Sequence, residues 1–227
     1  MVNHLFTLWI KVLFMIEQNQ QSEPLQELKD IKRMMERSSR FISLSGLSGI
    51  AAGVCAIAGA WKAKEYLDSY YGSYNSSGFF SGDDFSKLKI KLLVLAVIVF
   101  VVAFFSAFFF TWQKAKKQNL PLWNMTSRKL FWSTIIPLAT GACFIIAMLR
   151  YDDWAYIAPS CLIFYGLALV NASKYTFTDV QFLGYGQIIL GLLNMLYIGK
   201  GIYFWAAGFG LLHIIYGVIM WWKYDRK

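Results

Sequence analysis

Residues 91–112 read KLLVLAVIVFVVAFFSAFFFTW, and the one charged residue among them, Lys91, stands at the edge. A run of about 20 apolar residues matches the roughly 30 Å hydrocarbon core of a bilayer. Lipid offers the backbone no hydrogen bonds, so such a run must satisfy its own N–H and C=O groups as a helix. From Leu92 to Phe110 the residues are Val and Phe almost all round, which suits a helix facing lipid on most sides.

Five more stretches share this character: 42–61, 131–149, 154–172, 182–199 and 202–222, none with Asp, Glu, Lys or Arg in its middle. The expected fold is therefore an all-α membrane protein, a six-transmembrane helix bundle. Trp61, Trp112, Trp123, Trp132, Trp154, Trp205, Trp221 and Trp222 fall near the span ends, where indole prefers the interface. The whole chain agrees: of 227 residues 57% are hydrophobic and 15% charged, with mean hydropathy +0.45. Soluble domains carry about a quarter charged residues, so a cytosolic enzyme, a disordered protein, a coiled coil and a soluble nucleic-acid binder are all disfavoured.

In a membrane protein the +9 net charge reports topology. Lys29, Lys32, Arg33, Arg37 and Arg40 precede the first span. Lys114, Lys116, Lys117, Arg128 and Lys129 lie between spans two and three. Lys174, Lys223, Arg226 and Lys227 complete that side, and Lys62, Lys64, Lys87, Lys89, Lys91, Arg150 and Lys200 fall on the other. Fourteen against seven places both termini in the cytoplasm. Direct nucleic-acid binding is not expected.

Ahead of the spans, residues 1–21 read as an unstructured or interfacial leader, with Met15 as an alternative start. Residues 22–41 read as a cytoplasmic or interfacial amphipathic helix, capped by Ser22 with Pro24 in its first turn. Its Lys32, Arg33, Arg37 and Arg40 face either anionic lipid or a cytoplasmic partner. The membrane domain then covers 42–222, and 223–227 is a cytoplasmic tail.

Within the spans, Gly46, Gly49 and Gly53 repeat at steps of three and four, a small-residue face for close helix packing. In span five Gly184, Gln187, Gly191 and Asn194 form a stripe, matched in span six by Gly210, His213 and Gly217. Polar groups at this depth face the bundle interior. Gln187, Asn194 and His213 read first as inter-helix hydrogen-bonding residues, with ligand binding in a polar cavity as the second reading. A neutral His213 imidazole bonded to Gln187 or Asn194 is expected. Haem and metal are disfavoured because a lone intramembrane histidine supplies no ligand set, and no cofactor is expected.

Residues 62–90 read as a long external loop. Its Asp83 and Asp84, with Asp152 and Asp153 on the same side, are a remote candidate cation site. Cys55, Cys143 and Cys161 lie in apolar runs and read as free thiols. A shift of 51 residues superposes Trp154-Ala155 on Trp205-Ala206 and Tyr165-Gly166 on Tyr216-Gly217, a weak internal repeat. Serine-hydrolase, zinc-protease and phosphate-loop motifs are absent, as are intramembrane carboxylates.

Two blocks carry a resemblance: IKRMMERSSRFISLSGLSGIAAG at 31–53 and GFGLLHIIYGVIMWWKYDRK at 208–227. They resemble a family of integral membrane proteins of Bacteroidota-type bacteria for which no activity is established. The resemblance runs from about Glu23 to the C-terminus and implies a winged-helix regulator as a cytoplasmic partner. Three functions stay open: a non-enzymatic membrane sensor or regulator acting through the basic N-terminal helix, a facilitator for a small polar solute, and an intramembrane enzyme acting on a lipid or quinone.

Overall fold

The computed structural model describes residues 44–77, 82–119 and 123–226. The leader, the amphipathic segment 22–41 and its Lys32, Arg33, Arg37 and Arg40 lie outside the described residues.

Among the described residues every regular element is helical: α1 (Gly46–Ser77), α2 (Gly82–Lys117), α3 (Met125–Arg150), α4 (Ile157–Ala172), α5 (Val180–Leu196) and α6 (Gly201–Asp225). One 3₁₀ turn, Trp154–Tyr156, leads into α4. Five of these segments are long and apolar enough to cross a membrane; α5, at 17 residues, is the short one. It stops where Tyr197 leaves helical geometry and Gly199 takes a φ of +91°, a turn that a side chain would resist.

Of the expected loop 62–90, the described residues 62–77 and 82–90 are helical. α1 runs on to Ser77 and α2 begins at Gly82, so α1 with 32 residues is about 48 Å long and outreaches the hydrocarbon. Its polar half stays helical through pairs one turn apart: Lys62 with Glu65 at 2.9 Å, Lys64 with Asp68 at 2.6 Å, and on α2 Lys87 with Asp83 at 2.8 Å. Tyr70 and Phe85, ring centroids 6.0 Å apart, join the two helices beyond the apolar spans. Hydrophilic sequence here marks solvent exposure without breaking the helix.

The packed centre is α1, α4, α5 and α6; α2 leans on α1 and α3 on α4. No residue in the apolar stretch of α2 is buried, and Val97, Phe100, Phe104 and Phe105 are more than half exposed, a surface made for lipid. Glycines set the central contacts. A Cβ on Gly184 would lie 2.8 Å from the Gly166 carbonyl, and one on Gly166 would lie 2.7 Å from the Gly184 carbonyl, so α4 and α5 touch backbone to backbone. Gly46, Gly49 and Gly53 meet α6 at Gly217, Gly210 and the His213 carbonyl in the same way. The four stripe glycines therefore do not meet across α5 and α6: Gly184 and Gly191 face α4, while Gly210 and Gly217 face α1.

Candidate functional site

Midway along α6 the helix widens into a π turn, Ala206–Leu212. Such turns are local distortions that frequently occur at functional sites. The carbonyl of Gly208 in this turn accepts from Gln187 Nε2 at 2.8 Å and from His213 Nδ1 at 3.0 Å. Gln187 Nε2 and His213 Nδ1 stand 3.3 Å apart. These three atoms form a nearly equilateral triangle, too narrow for one amide nitrogen to direct separate hydrogens at both neighbours. The consistent assignment has the oxygen accepting twice, with the imidazole proton on Nδ1. His213 Nε2 is then an acceptor, and Tyr165 Oη of α4 donates to it across 2.9 Å. The Tyr165 and His213 rings lie 5.4 Å apart, and Phe209 lies 5.2 Å from the Tyr165 ring.

Gly208 admits this arrangement because a Cβ there would lie 2.6 Å from Gln187 Oε1 and would also collide with Leu162. Gln187 is fully buried and His213 is buried. The cluster is neutral throughout, consistent with its depth. It is incomplete, however. Gln187 Oε1, Asn194 Nδ2, Ser160 Oγ and Tyr216 Oη are buried without a hydrogen-bond partner among the described residues.

No protein-family model, curated protein or solved structure matches this chain. Its chemistry has to be read from its own residues.

Of the expected polar stripe, Gln187 and His213 meet, while Asn194 lies about two helical turns farther along α5, beside Gly201 at the start of α6. The imidazole bonds to Tyr165 and to the Gly208 carbonyl, with Gln187 sharing that carbonyl and Asn194 elsewhere. Sequence reading passed over Tyr165; its one signal was its place in the 51-residue repeat with Tyr216. The four aspartates do not converge. Asp83 and Asp84 pair with Lys87 on their own helix, and Asp152 takes Lys89 and the Trp154 indole. Lys89, then Trp154, hold the Asp152 carboxyl below the usual carboxylate range. Among the described residues no three metal-ligating side chains gather, Asp153 included. Cys55, Cys143 and Cys161 are free thiols.

A second polar group lies at the other end of α6, within what the sequence presented as a tail. Asp225 Oδ2 accepts from the Gly46 backbone N–H at 2.8 Å and from Ser45 Oγ at 3.1 Å, closing the N-terminus of α1. Asp225 Oδ1 pairs with Lys114 Nζ of α2 at 2.6 Å, and Lys114 also donates to the Leu44 carbonyl at 2.8 Å. Nearby on α6, Lys223 and Tyr224 each donate to Asp179 Oδ2 at 2.8 Å. Partial burial works against ionisation of Asp179, but these two hydrogen bonds outweigh it and bring its carboxyl below the ordinary range.

Proposed function

We propose that this protein is a non-enzymatic membrane sensor or regulator, in which a small uncharged ligand binds at the His213 cluster and α6 carries the change to the base of the basic segment 22–41. The observation that carries this reading is that one helix holds both ends of the coupling. His213 sits in the interior polar cluster, and Asp225 of the same helix clasps α1 and Lys114. The basic segment leads into α1 in the chain, so a shift of Asp225 acts just past the end of that segment, at Ser45 and Gly46. One π turn, Ala206–Leu212, ends just before His213 and a second, Trp221–Asp225, carries Asp225 itself, and such turns frequently occur at functional sites.

The same proposal includes six membrane crossings, with α5 as the short one, and both termini in the cytoplasm of a bacterial inner membrane. The fourteen-to-seven division of basic residues supports that orientation. A cytoplasmic protein, of the winged-helix type by the family resemblance, is the proposed partner of Lys32, Arg33, Arg37 and Arg40.

The test is a thermal-shift screen of detergent-purified protein against amino acids, amides, polyols, nucleosides and lipids. It is run beside a Gln187→Leu/His213→Leu variant, since a ligand of the folded state raises apparent stability by mass action. A compound that stabilises the original protein and not the variant supports the reading. No stabilising compound in the panel, together with unaltered partner capture after Arg33→Ala/Arg37→Ala/Arg40→Ala, ends it.

A further inference from the structure

Between Phe85 and Tyr151 the chain has no Asp or Glu. Where α2 ends and α3 begins, this stretch carries Lys114, Lys116, Lys117, Arg128 and Lys129. Lys114 is taken by Asp225. The other four are exposed, and among the described residues none of them makes an ion pair. Asn119, at a φ of +51°, turns the chain out of α2. Lys117 and Met125 are eight residues apart, so the two helix ends lie within about 28 Å of each other.

The two halves of this corner differ electrostatically. Lys116 and Lys117 stand in the last turn of α2, where cations suit the helix dipole. Arg128 and Lys129 stand at the start of α3, against the dipole, and its first turn holds no acidic residue. Partial positive charge at that N-terminus thus adds to four unpaired cations, and an anion from elsewhere is what the corner lacks.

Its depth limits which anion fits. Lys116 Nζ lies 5.6 Å from the centre of the Trp112 ring, and Trp112, Trp123 and Trp132 are all exposed. Indoles gather where a membrane meets water, which sets the cations beside them at headgroup level. Exposed Phe109 and Phe131 continue that aromatic surface toward the spans. Because α2 packs on α1 and α3 on α4, these flanks stay open to acyl chains.

We propose that the α2–α3 corner binds anionic phospholipid, with the phosphate against Lys116, Lys117, Arg128 and Lys129 and the acyl chains along the aromatic flanks. Charge alone would suit any polyanion; the three exposed indoles beside the cations favour one that belongs to a bilayer. This site is separate from the His213 cluster, and its failure leaves the sensor reading untouched.

The experiment is thermal melting of the full chain in nanodiscs of phosphatidylcholine alone or mixed equally with phosphatidylglycerol. Phosphatidylglycerol should raise the Tm by several degrees, since a ligand of the folded state stabilises by mass action, and high salt should shrink the gain. Arg128→Gln/Lys129→Gln should lose most of it, and adding Lys116→Gln/Lys117→Gln the rest, while both variants melt like the original in phosphatidylcholine. If the quadruple variant does not fold, the double variant decides. Arg150→Gln/Lys200→Gln, which removes two other exposed cations without ion pairs among the described residues, should keep the gain. Equal melting in the two compositions overturns the proposal, as does a gain that survives the double and quadruple variants or is lost equally with Arg150 and Lys200. The same gain from inorganic polyphosphate in phosphatidylcholine discs overturns it in favour of a soluble polyanion.

Discussion

Asp225 Oδ1 and Lys114 Nζ lie 2.6 Å apart with each side chain about nine-tenths buried, joining residues separated by almost half the chain. Burial on both sides makes this pair different from the surface pairs on α1 and α2. Breaking a buried pair by removing one partner strands the other charge, at about 3–5 kcal/mol.

Lys114→Met should therefore lower the Tm in mild detergent sharply, by the equivalent of about 3 kcal/mol. Adding Asp225→Asn should restore part of the loss, because the amide oxygen still accepts from Gly46 N–H while no charge is left unpaired. A double mutant as unstable as the sum of the single ones would show that the pair is not coupled.

The α1–α6 contact depends on bare backbone. A Cβ on Gly217 would come within 2.6 Å of the Ile50 nitrogen and 2.7 Å of the Gly46 carbonyl, neither of which can swing aside. Gly217→Ala should cost about 1–3 kcal/mol. Gly72→Ala, where nothing lies within 4 Å of the added carbon, should be neutral or stabilising by about 0.5 kcal/mol. Comparing the two melting temperatures checks this, and equal effects would contradict the packing described.

In the interior cluster, Tyr165→Phe removes the donor to His213 Nε2, and His213→Phe removes the acceptor. Each single change should destabilise by about 1 kcal/mol, and the double mutant by less than their sum, since both delete the same bond. Strict additivity in thermal melts would rule out the bond.

Asp179 gives a pH signature. Its folded-state carboxyl titrates below the ordinary range, so its link to Lys223 and Tyr224 contributes fully above the unfolded value, near pH 4, and is lost as pH falls through the folded value. Asp179→Asn should cost about 1 kcal/mol at pH 7. The gap in Tm between the two proteins should hold steady from about pH 8 to 5 and close below about 4. A gap that widens in acid would reverse the sign of the argument.

The helices were legible because lipid imposes one length and one composition on anything that crosses it. The Val and Phe run of α2 and the glycine face of α1 could be read directly for this reason. Contacts between distant residues could not. Asp225 looked like part of a basic tail because nothing local reveals that it closes a helix beginning at Gly46. The stretch from Trp61 to Ser77 looked like a loop because lysine–carboxylate pairs one turn apart raise polarity and helicity together. Within the site, Gln187 and His213 stood out as polar residues in apolar spans. Tyr165 did not, because its aromatic ring fits an apolar span, and its hydroxyl acquires meaning once the imidazole opposite is placed.

The π turn of α6 also bears on how the chain can vary. Gly210 and Gly217 face α1 while the His213 side chain reaches α4, and the wide turn at Ala206–Leu212 ends immediately before His213. Removing one residue from this segment would rotate everything beyond it by about 100°. His213 and Asp225 both lie beyond it and would move together, so the contact broken would be that of the Gly208 carbonyl with the Gln187 amide and the imidazole. Single-residue deletions here should accordingly be far less tolerated than substitutions among small apolar residues, so this stretch of α6 is constrained in length more tightly than in composition.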